Sequence, residues 1–301
     1  MLALDIKEGD EVIVPEISWV ATASVVKYVG AKPIFADVQE DSWCIDPESI
    51  KSLINEKTKA IIPVHCYGHP SEMDEIRNIA EENNLMVMED AAPSIGSTYK
   101  EKHMGTFGNI SAFSFQGAKP IATGEGGMIV TNDTKLYERI SKLGDHGRSM
   151  TKALWNEEIG YKYKISNLQA ALGLAQLERV DEIVSKKRMI FSWYKKMLGN
   201  IEGIALNVEK KHCKTNFAVT NMILNYDFGI TRDEFIQKLK EWNIDSRPFF
   251  YPMSHMPMFE TQHNPIAERL AKNGINLPAG HNLEEEDIAY VCDVVKHILR
   301  V

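Results

Sequence analysis

Short apolar runs alternate with amphipathic stretches along the first part of the chain. Four of these runs are rich in β-branched residues and predict strands, at 11–15, 33–37, 60–64 and 85–88. The stretches between them space their apolar residues as helices do, and predict helices over 18–28, from Asp46 onward, and over 73–83. Strands and helices that alternate at this spacing predict βαβ units and a mostly parallel sheet.

The pattern changes in the second half of the chain. After a predicted helix at 134–143, a long amphipathic stretch over 166–196 predicts one helix that connects two domains. A strand at 217–225, a helix at 231–242 that begins after Thr231, and an extended piece at 244–250 predict a smaller α+β domain. We therefore predict an α/β fold with a large domain over 1–185 and a small C-terminal domain over 186–301.

One lysine lies between two predicted buried strands, at 110–115 and 128–131. Lys119 follows the tight segment Gln116-Gly117-Ala118 and precedes Gly124-Glu-Gly-Gly127. An amine at an interior cleft there would lose solvation, which favours its neutral form and suits Schiff-base chemistry. The alternative is a loop lysine with its amine in solvent, and this stretch alone does not decide between the two.

Other polar or aromatic residues follow the predicted strands, where parallel sheets place their ligands. One interpretation of Asp90 is a structural carboxylate that caps a helix or a turn. The other is the partner of a protonated ring nitrogen, which pyridoxal phosphate requires. Lys119 lies 29 residues beyond it. Ser114 could receive a phosphate, or it is an ordinary serine of the strand. Trp19 could stack on a ring or lie in the core, and for His65 we favour an interior position over a cofactor contact.

Composition and charge exclude several function classes. The 301 residues are 44% hydrophobic with a formal net charge of −8, which argues against nucleic-acid or anionic-membrane binding. No apolar run is long enough for a membrane span. The cysteines have no CxxC spacing, so we predict no metal site and no disulfide framework, and a cytoplasmic location. A GxGxxG fingerprint is absent, which argues against a nicotinamide cofactor.

Several motifs, in order along essentially the whole chain, resemble the DegT/DnrJ/EryC1/StrS sugar aminotransferases. They are Gly9-Asp-Glu-Val-Ile-Val-Pro15, Pro63-Val-His-Cys-Tyr-Gly68, Glu89-Asp-Ala-Ala92, Ser114 with Lys119, Gly124-Glu-Gly-Gly127, Ile165-Ser-Asn-Leu-Gln-Ala-Ala171 and Arg247-Pro-Phe-Phe-Tyr-Pro252. The runs around 167–179 and 247–252 look most like the perosamine synthase branch. The resemblance implies a fold-type I, aspartate aminotransferase-like enzyme that uses pyridoxal phosphate.

The resemblance also implies roles for individual residues. Lys119 would be the Schiff-base lysine, Asp90 would pair with the pyridine nitrogen, Ser114 would contact the phosphate and Trp19 would cover the ring. Asn167 would reach the phosphate of the neighbouring subunit's cofactor, which implies a homodimer.

The substrates follow from the same resemblance. The expected reaction moves an amino group from an amino acid, L-glutamate, to a GDP-, dTDP- or UDP-linked 4-keto-6-deoxy sugar for polysaccharide biosynthesis. Arg247, held between restricted residues, suits recognition of a substrate carboxylate or phosphate, although a surface ion pair is the alternative. Two alternative functions remain: the enzyme aminates a 3-keto sugar, or the chain is a truncated, non-catalytic member of the family.

Two departures from the family pattern matter. Pro93 stands where the family often has Gln or His beside the cofactor's ring hydroxyl. Family members also carry some tens of residues before the motif at Gly9, including a turn that binds the cofactor phosphate at a helix N-terminus. The segment Met1-Leu-Ala-Leu4 resembles the end of that helix. We therefore expect the chain as given to bind pyridoxal phosphate weakly or to need sequence upstream of Met1.

Overall fold

A six-stranded sheet forms the centre of the computed structural model, which describes residues 1–225 and 228–301. Its strands are β1 (Glu11–Pro15), β2 (Lys32–Ala36), β3 (Thr58–Ile61), β4 (Met86–Asp90), β7 (Ile110–Ser114) and β8 (Gly127–Val130). They lie in the order β2-β1-β3-β4-β7-β8, and all neighbours are parallel except β7 and β8. The predicted mostly parallel sheet is confirmed.

Alternation along β1 explains why helices cover both faces of this sheet. Successive strand side chains point to opposite faces. Val12 and Val14 therefore pack in one core with Val26 of α1 (Ala21–Lys27), and Ile13 packs in another with Ile76 of α3 (Met73–Glu82). The other helices of this half are α2 (Pro47–Leu53) and α4 (Thr134–Gly144).

The strand β8 departs from the prediction of a second buried strand. Three of its four residues are exposed, Met128 and Ile129 among them. It lies at the end of the sheet, and β7 is its only strand partner among the described residues. The β-branched composition predicted the strand correctly, but composition does not report what covers a sheet edge.

The predicted single helix at 166–196 is wrong. Two helices occupy this stretch, α5 (Asn167–Leu177) and α6 (Val180–Leu198). Arg179 between them has a non-helical backbone (φ −114°, ψ 17°), and its guanidinium pairs with Glu182 at 2.6 Å. Asp181 and Glu182 stabilise the new helix start, because carboxylates favour the positive end of the helix dipole.

In the described residues of the C-terminal part, an antiparallel sheet packs with four α-helices. Its strands are β9 (Ile204–Leu206), β11 (Thr220–Leu224), β12 (Arg247–Pro248) and β13 (Gly274–Leu277), and with α6 its helices are α7 (Arg232–Glu241), α8 (Pro265–Asn273) and α9 (Glu285–Leu299). As predicted, Thr231 caps α7, through a capping box with Glu234.

A small sheet connects the two parts of the chain. Its strands are β5 (Thr98–Tyr99), β6 (Lys102–His103) and β10 (Cys213–Lys214), in the order β10-β5-β6. Among the described residues, no helix is both long and apolar enough to cross a bilayer.

Lys187 makes the stability of the fold depend on pH. This α6 side chain is only 9% exposed, its amine donates to the carbonyl oxygen of Ala279, and burial lowers its pKa to about 8. The unfolded chain keeps an ordinary lysine pKa and therefore binds more protons than the folded chain between about pH 8 and pH 10. The free energy of unfolding therefore rises with pH through that window, because a neutral amine costs less to bury than a charged one.

We expect Lys187→Met to raise the free energy of unfolding by up to about 3 kcal/mol at about pH 7, with the gain vanishing toward about pH 10. Urea titrations of both proteins at several pH values measure this. The difference should be read from about pH 7 upward, where the nearby His281 is largely neutral because burial and Lys187 lower its pKa. A difference that does not change with pH would contradict the account.

Candidate active site

The loop that carries Lys119 is closed by main-chain hydrogen bonds. After β7, the N–H of Thr123 donates to the carbonyl oxygen of Phe115 at 2.8 Å. The N–H of Gly117 donates to the carbonyl oxygen of Gly124 at 2.9 Å. Gly124 has a φ of +81°, and a Cβ on Gly126 would lie 2.7 Å from the Thr123 hydroxyl. The glycines therefore allow a compact loop that fixes the backbone of Lys119 at the end of the sheet.

The structure brings Lys119 and Asp90 together. Lys119 is half-buried, and this burial lowers the pKa of its amine, while the Asp90 carboxylate and the buried Cys66 oppose the shift. Lys119 is therefore a loop lysine whose side chain is partly withdrawn from solvent. A partly desolvated amine beside a carboxylate can act as a nucleophile and as a base.

The Asp90 carboxylate is held by two donors. Thr22 of α1 donates its hydroxyl proton to Oδ2 at 2.7 Å, and the N–H of Ala92 donates to Oδ1 at 3.2 Å. The contact with Ala92 is the turn interaction that the sequence allowed as an alternative. Each carboxylate oxygen can accept a second hydrogen bond, so the same group can also bind a ligand.

Trp19 and Ser114 lie at the same edge of the sheet. Trp19 is 66% exposed, between β1 and α1, so the alternative of a core tryptophan is wrong. Ser114 ends β7 and is half-buried. Its oxygen accepts from the N–H of Gln116 at 3.3 Å, which leaves the hydroxyl proton free to be donated.

Two other candidates lie on exposed surface. Asn167 is the first residue of α5, and its side chain makes no hydrogen bond within the described part of the chain. Arg247, in β12, is exposed and lies 3.8 Å from Asp245. Among the residues that the structure describes, no contact brings either of them to Lys119. The carbonyl oxygen of Pro93 accepts from the Asn216 side chain.

His65 is an interior residue, as favoured from the sequence. It is fully buried, with its ring 3.3 Å from the Ser71 hydroxyl and 3.1 Å from Glu89. Burial raises the pKa of Glu89, but hydrogen bonds from His65 and from the N–H groups of Gly105 and Gly108 outweigh it and hold the pKa below its usual value. This network anchors β4 immediately before Asp90.

Sequence reasoning did not identify Thr22 or Cys66. Thr22 lies in the first turn of α1, four residues after Ser18, and the two hydroxyls lie 3.3 Å apart although Ser18 precedes the helix. Cys66 follows His65 and is buried near Asp90 and Lys119, and burial raises the pKa of its thiol. The thiol therefore stays neutral beside the amine.

The chemistry of these residues fits pyridoxal phosphate. The cofactor needs an amine for its aldehyde and a carboxylate for its ring nitrogen. Lys119 and Asp90 supply that pair, and the exposed ring of Trp19 lies at the same sheet edge.

Comparison with known proteins identifies the family. The model of the DegT/DnrJ/EryC1/StrS aminotransferase family matches residues 1–296. The chain belongs to this family. Among curated relatives, GDP-perosamine synthase of Escherichia coli O157:H7 is 42% identical over 297 residues, which cover 98% of this chain and 80% of that protein.

Solved structures of aminotransferases share the fold of this family member. S. venezuelae DesV has a TM-score of 0.92 and 30% identity, covering 100% of this chain and 81% of that one. The PLP form of Spr1654 from Streptococcus pneumoniae, a protein assigned as a sugar aminotransferase, has a TM-score of 0.92 and 25% identity, covering 99% and 83%. The predicted family, fold class and pyridoxal phosphate cofactor are confirmed.

Proposed function

We propose that this chain transfers the amino group of L-glutamate to the keto carbon of a nucleotide-linked 4-keto-6-deoxy sugar in cytoplasmic polysaccharide biosynthesis. The observation that carries the proposal is the position of Lys119, a half-buried amine with a lowered pKa, within electrostatic range of Asp90 at the carboxyl edge of the sheet. The 42% identity to a GDP-perosamine synthase favours a GDP-linked sugar.

Lys119 has two tasks in this proposal. Pyridoxal phosphate, when bound, supplies an electron sink for cleavage of a bond at the amino-acid carbon. The Lys119 amine holds the cofactor covalently, and when it is free it takes up and returns the proton that transamination moves. Burial favours both tasks, because it lowers the pKa of the amine and so raises the fraction that is neutral.

The other residues bind and orient. Asp90 holds the ring nitrogen in its protonated form, Ser114 donates to the phosphate, and Trp19 covers the ring and excludes water from one side. Arg247 recognises a carboxylate or phosphate of the substrates, since its ion pair with the exposed Asp245 is long and open to solvent.

We propose that the active unit is a homodimer. The helix α5 is rich in leucine, yet none of its residues is buried within the chain. Its exposed leucines, with Met128 and Ile129 of β8, form an apolar surface of the kind that subunit interfaces cover. Asn167 begins α5 on this surface, where a second copy could receive it at its own cofactor.

A panel assay tests this function. The purified protein, loaded with pyridoxal phosphate, is given L-glutamate and then GDP-, dTDP- and UDP-linked 4-keto-6-deoxy and 3-keto sugars. We expect L-glutamate alone to shift the visible absorbance of the cofactor, and an amino sugar to form from a 4-keto substrate. Turnover only with 3-keto sugars would show that C4 is not the carbon that is aminated. No absorbance change with any amino acid would favour a non-catalytic member of the family.

A further inference from the structure

Two buried hydroxyl groups form a hydrogen-bonded chain that leads to the Asp90 carboxylate. The side chains of Thr22 and Ser18 belong to residues that are each 4% exposed. The Thr22 hydroxyl lies 2.7 Å from Asp90 Oδ2, and the Ser18 hydroxyl lies 3.3 Å from that of Thr22. Together they form a short line of hydrogen bonds that ends on the carboxylate.

The direction of each hydrogen bond follows from the chemistry of the groups. An ionised carboxylate accepts and cannot donate, so Thr22 gives its single hydroxyl proton to Asp90. Thr22 can then only accept from Ser18. A donor whose own oxygen accepts a hydrogen bond becomes a stronger donor, so Ser18 reinforces the contact to the carboxylate.

The surrounding fold keeps these hydroxyls in place. Thr22 lies in the first turn of α1, and Ala23 and Val26 of the same helix are buried in the core between α1 and the sheet. Asp90 lies at the end of β4, 68 residues further along the chain. The contact therefore joins two packed elements, and the carboxylate cannot rotate without breaking it.

We propose that Thr22, backed by Ser18, is a positioning residue that orients Asp90 toward the ring nitrogen of pyridoxal phosphate. The inference rests on the role proposed for Asp90. With Thr22 on Oδ2 and the N–H of Ala92 on Oδ1, the plane of the carboxylate is fixed. A fixed carboxylate bonds the protonated ring nitrogen without first losing rotational freedom, so the protonated form is favoured.

The experiment compares matched variants of the full chain. Thr22→Val removes the hydroxyl and keeps the shape, Thr22→Ser keeps the hydroxyl, and Ser18→Ala removes only the second hydroxyl. Thr58→Val is the control, because Thr58 is also buried but its hydroxyl accepts from the N–H of Asn55. The readouts are the dissociation constant of pyridoxal phosphate, and the NMR shift of its isotope-labelled ring nitrogen as a function of pH.

We expect Thr22→Val to raise the dissociation constant about three- to tenfold, which corresponds to one weakened hydrogen bond to a charged group. The ring nitrogen should lose its proton at lower pH than in the unmodified protein. Ser18→Ala should shift both readouts in the same direction by less. Thr22→Ser keeps the hydroxyl and should leave both readouts close to those of the unmodified protein. Thr58→Val should change neither readout.

Asp90→Asn separates failure of this inference from failure of the proposed function. If Asp90→Asn leaves the NMR titration unchanged, the role of Asp90 is wrong and the inference falls with it. If Asp90→Asn shifts the titration but Thr22→Val and Ser18→Ala do not, only the positioning role is wrong. A loss of thermal stability in Thr22→Val without a shift in the titration would likewise overturn it.

Discussion

Replacing Lys119 with alanine is expected to lower transaminase turnover by about 10²–10⁴-fold, because the variant lacks the group that moves the proton. It should also lose covalent attachment of the cofactor, so borohydride would no longer fix pyridoxyl label on the protein. The measurements are single-turnover absorbance with L-glutamate, and peptide mapping after reduction. Lys102→Ala, which alters an exposed lysine of β6, is the matched control and should keep full turnover.

The same lysine should respond to its charged neighbour. Burial lowers the pKa of the Lys119 amine and Asp90 raises it, so the amine should react with pyridoxal phosphate at lower pH than an exposed lysine does. Asp90→Asn should move that reactivity to still lower pH. A pyridoxyl label on a different lysine, or full turnover in Lys119→Ala, would show that the site assignment is wrong.

Replacing Leu172 with glutamate is expected to dissociate the proposed dimer. Leu172 lies on α5 and is 52% exposed within the chain, although it is near the helix face from which Gln169 and Gln176 contact the Lys119 loop. An unpaired charge buried at an interface costs about 3–5 kcal/mol, which corresponds to a dissociation constant raised by about 10²–10³-fold or more. Analytical ultracentrifugation over a range of concentrations measures this change.

Two further variants show whether the interface completes the site. Tyr28→Glu changes an exposed residue after α1 that does not belong to the proposed apolar surface, so it should leave the dimer intact. Asn167→Ala should weaken pyridoxal phosphate binding without dissociating the dimer, if Asn167 reaches the cofactor of the partner. A Leu172→Glu protein that is monomeric at assay concentration yet fully active would contradict a shared site.

Local pattern was sufficient for much of this protein. Alternation and β-branched composition predicted β1 at its observed bounds, and capping chemistry predicted the helix starts after Asp46 and Thr231. The glycine-rich loop and the strand-end rule also selected Lys119 and Asp90. The predictions of β1 and of the two helix starts succeeded because each depends on residues that are close together along the chain. Lys119 and Asp90 could be selected as candidates because parallel strands end at a shared edge.

Only the tertiary structure decided the rest. Amphipathic spacing continues through 166–196, so the break at Arg179 depends on what each half packs against. The exposure of β8 depends on what covers the sheet edge, which its own composition does not encode. The contact between Thr22 and Asp90 joins residues 68 positions apart, and it arises from the packing of α1 against the sheet. Periodicity reports which face of an element is buried, but only packing decides which groups meet there.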